Sequence, residues 1–169
     1  DGSDFFQLRR IGSFGDFFLK QHNLLALPMV LYDHYGSIQK GELTGRVVIM
    51  VHGLCMSHLS WSNNRYSGVG ERLLAQRDNN TMLYLNYNSG RRISANGRSF
   101  ANLLEELVQQ NPKITSIDLI GHSMGGLVSR SALFYGKQNL YQWIHMTENL
   151  VCIGSPHHGA ALERTGFIF

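Results

Sequence analysis

Four short, almost uninterrupted apolar runs set the frame of this chain: Arg46–His52, Thr81–Asn86, Ser116–Ile120 and Asn149–Gly154. Each is rich in Val, Ile, Leu or Met and too short for a buried helix. Each therefore reads as a strand covered on both faces. Helical patterns lie between them. Residues 68–77 look helical. A helix is expected from about Ser94, its N-cap, to Gln110, with Phe100, Leu103, Leu104, Leu107 and Val108 as its apolar stripe and Asn111-Pro112 as its stop. A further helix is expected over Met124–Phe134. Strand and helix alternate three times, which calls for crossover connections. The fold class is therefore α/β, a mostly parallel sheet with helices on both faces.

The N-terminal part has another texture. Residues 5–27 carry Phe5, Phe6, Phe14, Phe17, Phe18 and several leucines, read as one or two amphipathic helices broken near Gly12 and Gly15. Pro28 ends that pattern, and Met29–Tyr32 can begin a strand. The division is an N-terminal helical segment, 1–45, packed on the core, and an α/β domain, 46–169. The Phe-rich stretch could lie on a lipid surface, but Arg9, Arg10 and Lys20 are few basic residues for that, and packing is favoured.

Composition excludes several classes of function. With 43% hydrophobic residues the chain is not a disordered one. The balance of 15 Lys and Arg against 12 Asp and Glu is mild and scattered, so no nucleic-acid footprint is read. The run Leu24–Tyr32 is broken by Pro28 and too short to span a bilayer, and no signal peptide is recognisable. Two cysteines, Cys55 and Cys152, make no disulfide framework and are read as small buried hydrophobes. A reducing compartment follows, so a cytoplasmic location is expected over a secreted one. Nothing in the sequence sets the oligomeric state.

In parallel sheets, ligands gather beyond the carboxyl ends of the strands. The chemistry-bearing residues lie there. Gly121-His122-Ser123-Met124-Gly125 is a G-x-S-x-G motif entered by a strand and left by a helix, the context of a nucleophile elbow. The turn is tight enough to strain the serine and to exclude side chains at Gly121 and Gly125. It projects the Ser123 hydroxyl and aims the Met124 amide at a developing oxyanion. His52-Gly53-Leu54 ends the first strand, where Gly53 allows close backbone approach. The Leu54 amide is the expected second oxyanion donor; the plainer reading is a glycine that only turns the chain. His52, His122 and His157 are expected to line the site.

Together with Gly154-Ser155-Pro156-His157-His158-Gly159 and Tyr87-Asn88-Ser89-Gly90, these motifs resemble the α/β-hydrolases of the bacterial lipase and esterase kind, close to the triacylglycerol-lipase and GPI-inositol-deacylase-like groups. The resemblance covers about residues 46–165. It implies hydrolysis of carboxylic esters, lipid or acyl esters among them, by a Ser-His-Asp/Glu triad without a cofactor. The chain order in that fold is serine, acid, histidine. Here no Asp follows Ser123, Glu148 precedes the fourth strand, and no histidine follows Glu163. The chain opens at Asp1 and stops at Phe169, so a partial chain is expected, with the acid and the histidine beyond residue 169. His157 or His158 as the base is the less favoured alternative. A non-catalytic binding or interaction module is the rival reading.

Weaker signals have plainer explanations. His52, Cys55 and His58 do not match known zinc-ligand spacings, and no metal is expected. Arg91 and Arg92 could meet an anionic head group, but solvated arginines are favoured. Trp61 and Trp143 are read as packing residues.

Overall fold

The computed structural model describes residues 28–33, 35–61 and 80–159. The helices expected over 5–27 and 68–77 lie outside these residues. The described part of residues 1–45 carries a strand and no helix.

Strands β1 (Val30–Tyr32), β2 (Gly45–Val51), β3 (Asn80–Asn86), β4 (Ile114–His122) and β5 (Thr147–Ile153) form one sheet in the order β1-β3-β2-β4-β5. β3, β2, β4 and β5 run parallel, and β1 pairs antiparallel with β3. β3 therefore lies on one side of β2 and β4 on the other. The strand order reverses at β2, which opens a crevice at its carboxyl end, between the loops that leave β2 and β4.

Helix α1 spans Ile93–Gln110, α2 Met124–Gln138 and the one-turn α3 Trp143–Met146. The alternation of side chains along β2 divides the core. Val47, Ile49 and Val51 join Leu83, Leu85, Ile117 and Leu119 under Phe100 and Leu104 of α1, Val128 and Ala132 of α2, and Trp143. On the opposite face Val48, Met50, Met82 and Ile120 pack with Trp61, the last residue of a 3-10 turn at His58–Trp61. Both tryptophans are packing residues, as expected. Among the described residues no helix is long and apolar enough to cross a membrane.

Three expectations need correction. Ser94 is not the N-cap of α1. The helix starts at Ile93 behind Arg92, and no side chain caps it. The Asn96 amide instead donates to the carbonyls of Asn88 (2.9 Å) and Arg91 (3.4 Å), which pins the incoming loop one residue earlier. The cysteines are half-buried rather than buried, because Cys55 lies in the loop after β2 and Cys152 in β5, at the edge of the described sheet. Finally, β5 is not covered on both faces: Val151 and Ile153, alternate residues that share one face, are exposed.

Candidate active site

Ser123 stands between the end of β4 and the start of α2 with φ 52° and ψ −122°. Positive φ is costly for a residue with a Cβ and persists only where the surroundings enforce it. Here they do. The Ser123 N–H donates to the Ile153 carbonyl of β5 (2.8 Å), and its own carbonyl accepts from the Gly126 N–H (3.2 Å). The turn is also closed sterically. A Cβ at Gly121 would sit 2.5 Å from Gly126 Cα, and one at Gly125 would sit 2.6 Å from the His52 carbonyl oxygen. The two glycines are needed for close approach, since the elbow packs on itself and on the end of β2. Met124, as the first residue of α2, has an N–H with no intrahelical acceptor, at the positive end of the helix dipole.

The His52-Gly53-Leu54 loop lies against this elbow. A Cβ on Gly53 would be 3.1 Å from Ser123 Cβ and 3.3 Å from His122 Nδ1. The Leu54 side chain is half-exposed at the same end of the sheet. The structure thus brings Gly53, Gly121, Ser123 and Gly125 together around one turn, flanked by the backbones of Leu54 and Met124.

His52 does not line this space; it is buried beneath the loop. Its Nδ1 lies 2.9 Å from the Gly53 carbonyl oxygen, which can only accept, so Nδ1 carries the hydrogen. Nε2 then accepts, at 3.4 Å, from the Tyr87 N–H. The Tyr87 hydroxyl donates to the His52 carbonyl (2.7 Å), and the two rings stack with centroids 4.3 Å apart. Burial lowers the His52 pKa to about 4, against the opposing effect of the Gly53 hydrogen bond and with a small contribution from His58. The ring is neutral at neutral pH. Burial pushes the Tyr87 hydroxyl far above its ordinary range, so it stays a donor. Tyr87 is the residue that motif reading missed as a participant. Its one signal is an aromatic residue placed directly after β3 and before Asn88-Ser89-Gly90.

The other histidines diverge. His122 is half-buried with its ring edge-on to Trp61, centroids 6.3 Å apart. His157 is exposed, and its Nδ1 accepts from the Arg130 guanidinium at 2.8 Å. The structure pairs it with Arg130 rather than with Ser123. Among the described residues no side chain is hydrogen-bonded to Ser123 Oγ. The described acids following or preceding it in β4 and β5 are at the far end of the sheet. Arg46 at the start of β2 contacts Asp118 (2.5 Å) and Glu148 (3.2 Å), and Asn149 donates to Asp118 (2.8 Å). Arg91 and Arg92 are exposed. Among the described residues no group of three or more His, Cys, Asp or Glu side chains could hold a metal ion. What remains among the described residues is a hydroxyl on a strained turn at a helix N-terminus, beside a glycine loop. Chemically, such an arrangement suits nucleophilic attack with backbone N–H groups facing the charge that develops.

Residues 42–169 match the family described as the PGAP1-like alpha/beta domain. Among solved structures, the mature form of the Bacillus licheniformis lipase BlEst2 is 26% identical, with a TM-score of 0.55 over 71% of this chain and 44% of that one. Its propeptide form is 24% identical, with a TM-score of 0.56 over 76% of this chain and 25% of that one. The chain thus spans less than half the length of these lipase structures, and the fold it shares with them is the α/β-hydrolase fold. No curated protein matches the chain significantly.

Proposed function

We propose that this chain, which belongs to the PGAP1-like alpha/beta domain family, carries the nucleophile and oxyanion hole of a serine hydrolase for carboxylic esters of lipid or acyl character. The observation that carries the reading is the positive φ of Ser123 inside a turn where two glycines admit no side chain. Such strain persists at sites where it serves a mechanism. The Ser123 oxygen adds to the ester carbonyl and loses its proton to a base. The carbonyl oxygen gathers negative charge, stabilised by the N–H groups of Met124 and Leu54. Collapse expels the alcohol, which takes the proton back, and leaves an acyl-serine that water hydrolyses. No cofactor enters this sequence. The base, a histidine, and the acid that orients it are assigned to the protein beyond residue 169. Two facts support that assignment: no described side chain engages Ser123 Oγ, and the similar lipases are more than twice as long as the matched region.

The absence of a described partner for Ser123 Oγ also favours a second reading, a binding module that keeps the fold without turnover. One experiment separates them. A fluorophosphonate probe should label the full-length protein at Ser123, and Ser123→Ala should abolish both labelling and hydrolysis of p-nitrophenyl butyrate. Labelling that survives the substitution would sink the assignment, and a full-length protein inert to both reagents would favour the binding module.

A further inference from the structure

The loop beside Ser123 poses a mechanical problem. Gly53 relieves crowding there, because a Cβ would press on Ser123 Cβ at 3.1 Å. Glycine also frees the backbone, so the peptides on either side of it can rotate. An oxyanion donor is useful only when its direction is fixed before the charge appears. Something must restrain the two peptides that Gly53 loosens.

Two buried side chains hold those two peptides, one each. The Tyr87 hydroxyl binds the carbonyl of the His52–Gly53 peptide at 2.7 Å. His52 Nδ1–H binds the carbonyl of the Gly53–Leu54 peptide at 2.9 Å. A trans peptide is planar, with its C=O and N–H pointing in opposite directions. Tethering the Gly53 carbonyl to the buried imidazole therefore turns the Leu54 N–H away from that imidazole. The His52 ring is itself held by stacking on Tyr87 and by the Tyr87 N–H at Nε2. Packing alone does not explain these residues. A phenylalanine would fill the space of Tyr87 without burying a hydroxyl, and burying a hydroxyl or an imidazole is unfavourable unless each polar atom finds a partner. Here the partners found are the carbonyls on both sides of the loosened glycine.

From this we infer that Tyr87 and His52 are positioning residues, a two-part clamp that fixes the direction of the Leu54 N–H in the oxyanion hole. The inference rests on the serine-hydrolase reading. Its consequence is specific: loss of the clamp weakens binding of the tetrahedral intermediate and leaves ground-state binding of the ester unchanged.

The test uses the full-length protein with p-nitrophenyl butyrate as substrate and phenylboronic acid as a tetrahedral-adduct probe. Tyr87→Phe keeps the ring over the imidazole and removes only the hydroxyl. His52→Gln removes the ring that spans Gly53 and Tyr87. Each is expected to lower kcat about ten- to a hundredfold, up to the lower bound for losing a whole donor, with KM changed less than about twofold. Boronate affinity should fall in step with kcat. Because both residues act on one loop, the double variant should be little worse than the poorer single variant. A folded Tyr87→Phe with wild-type kcat, losses that multiply in the double variant, or failure of both single variants to fold would each overturn the clamp. A wild-type protein inert to fluorophosphonate would instead sink the hydrolase reading, which keeps the two failures apart.

Discussion

The two ends of the sheet solve the problem of buried polar groups in opposite ways. At the amino end of the parallel strands the solution is charge: Arg46 with Asp118 and Glu148, and Asn149 on Asp118. At the carboxyl end the solution is neutral dipoles. A neutral imidazole, a phenol and backbone groups satisfy one another, and Cys55 and Ser123 adopt positive φ there. Salt bridges tolerate small shifts and add little direction. Fixed dipoles in a dry site give direction, and they are effective only when no nearby ion competes. The contrast separates ionic pairing at one end from the fixing of backbone direction at the other.

That division can be broken most severely at Gly125. Gly125→Ala places a methyl group within 2.6 Å of the His52 carbonyl, and neither backbone can yield. A destabilisation of about 3 kcal/mol or more is expected, read as a lower urea midpoint. Acid should act on the same end with nearly equal force. The folded protein holds His52 at a pKa of about 4 against 6.5 for a free histidine, so the unfolded chain binds the proton first as pH falls. Stability is complete above about pH 6.5 and declines between there and pH 4, where the loss reaches about 3 kcal/mol. Chemical unfolding at pH 7, 5.5 and 4 should trace this decline, and His52→Gln should flatten it. A profile unchanged by His52→Gln would assign the acid sensitivity elsewhere. At the charged end the effects shrink. Asp118→Asn weakens a largely buried contact, with an expected cost of about 1–3 kcal/mol and no change in kcat. Glu148, whose side chain is 53% exposed, should cost under about 1 kcal/mol as Glu148→Gln in the same unfolding assay. A drop in kcat from either would erase the division between the ends.

The same contrast explains what could be read without coordinates. The four parallel strands were legible because each holds a short apolar run, and the elbow because glycine spacing encodes its sterics. Their limits were less legible. β4 continues through Gly121 and His122, since these residues pair with Cys152 and Ile153 of β5, and no local pattern announces a partner thirty residues away. α2 runs past Phe134 to Gln138, where Tyr135 packs on the core and Gly136 lies against Trp143 and Ile144, tertiary contacts that no local apolar stripe announces. α3 is a single turn whose start depends on the Glu105 carboxylate of α1, which accepts from the Gln142 N–H at 2.8 Å. β1 shows its direction only through its pairing with β3. His52 was placed in the site because it adjoins Gly53. Its burial follows instead from Tyr87, a tertiary neighbour. Motifs record steric exclusions near in sequence; they do not record which side chain holds a carbonyl from across the sheet.

The hydrogen bond from the Ser123 amide to the Ile153 carbonyl has a consequence in time as well as space. Residue 153 leaves the ribosome after the serine does. Until β5 docks beside β4, the Ser123 N–H lacks its acceptor, and one of the two hydrogen bonds that hold residue 123 in its unfavourable backbone conformation is missing. One backbone contact thus ties the full geometry of the elbow to the completion of a later strand, linking local strain to the order of assembly.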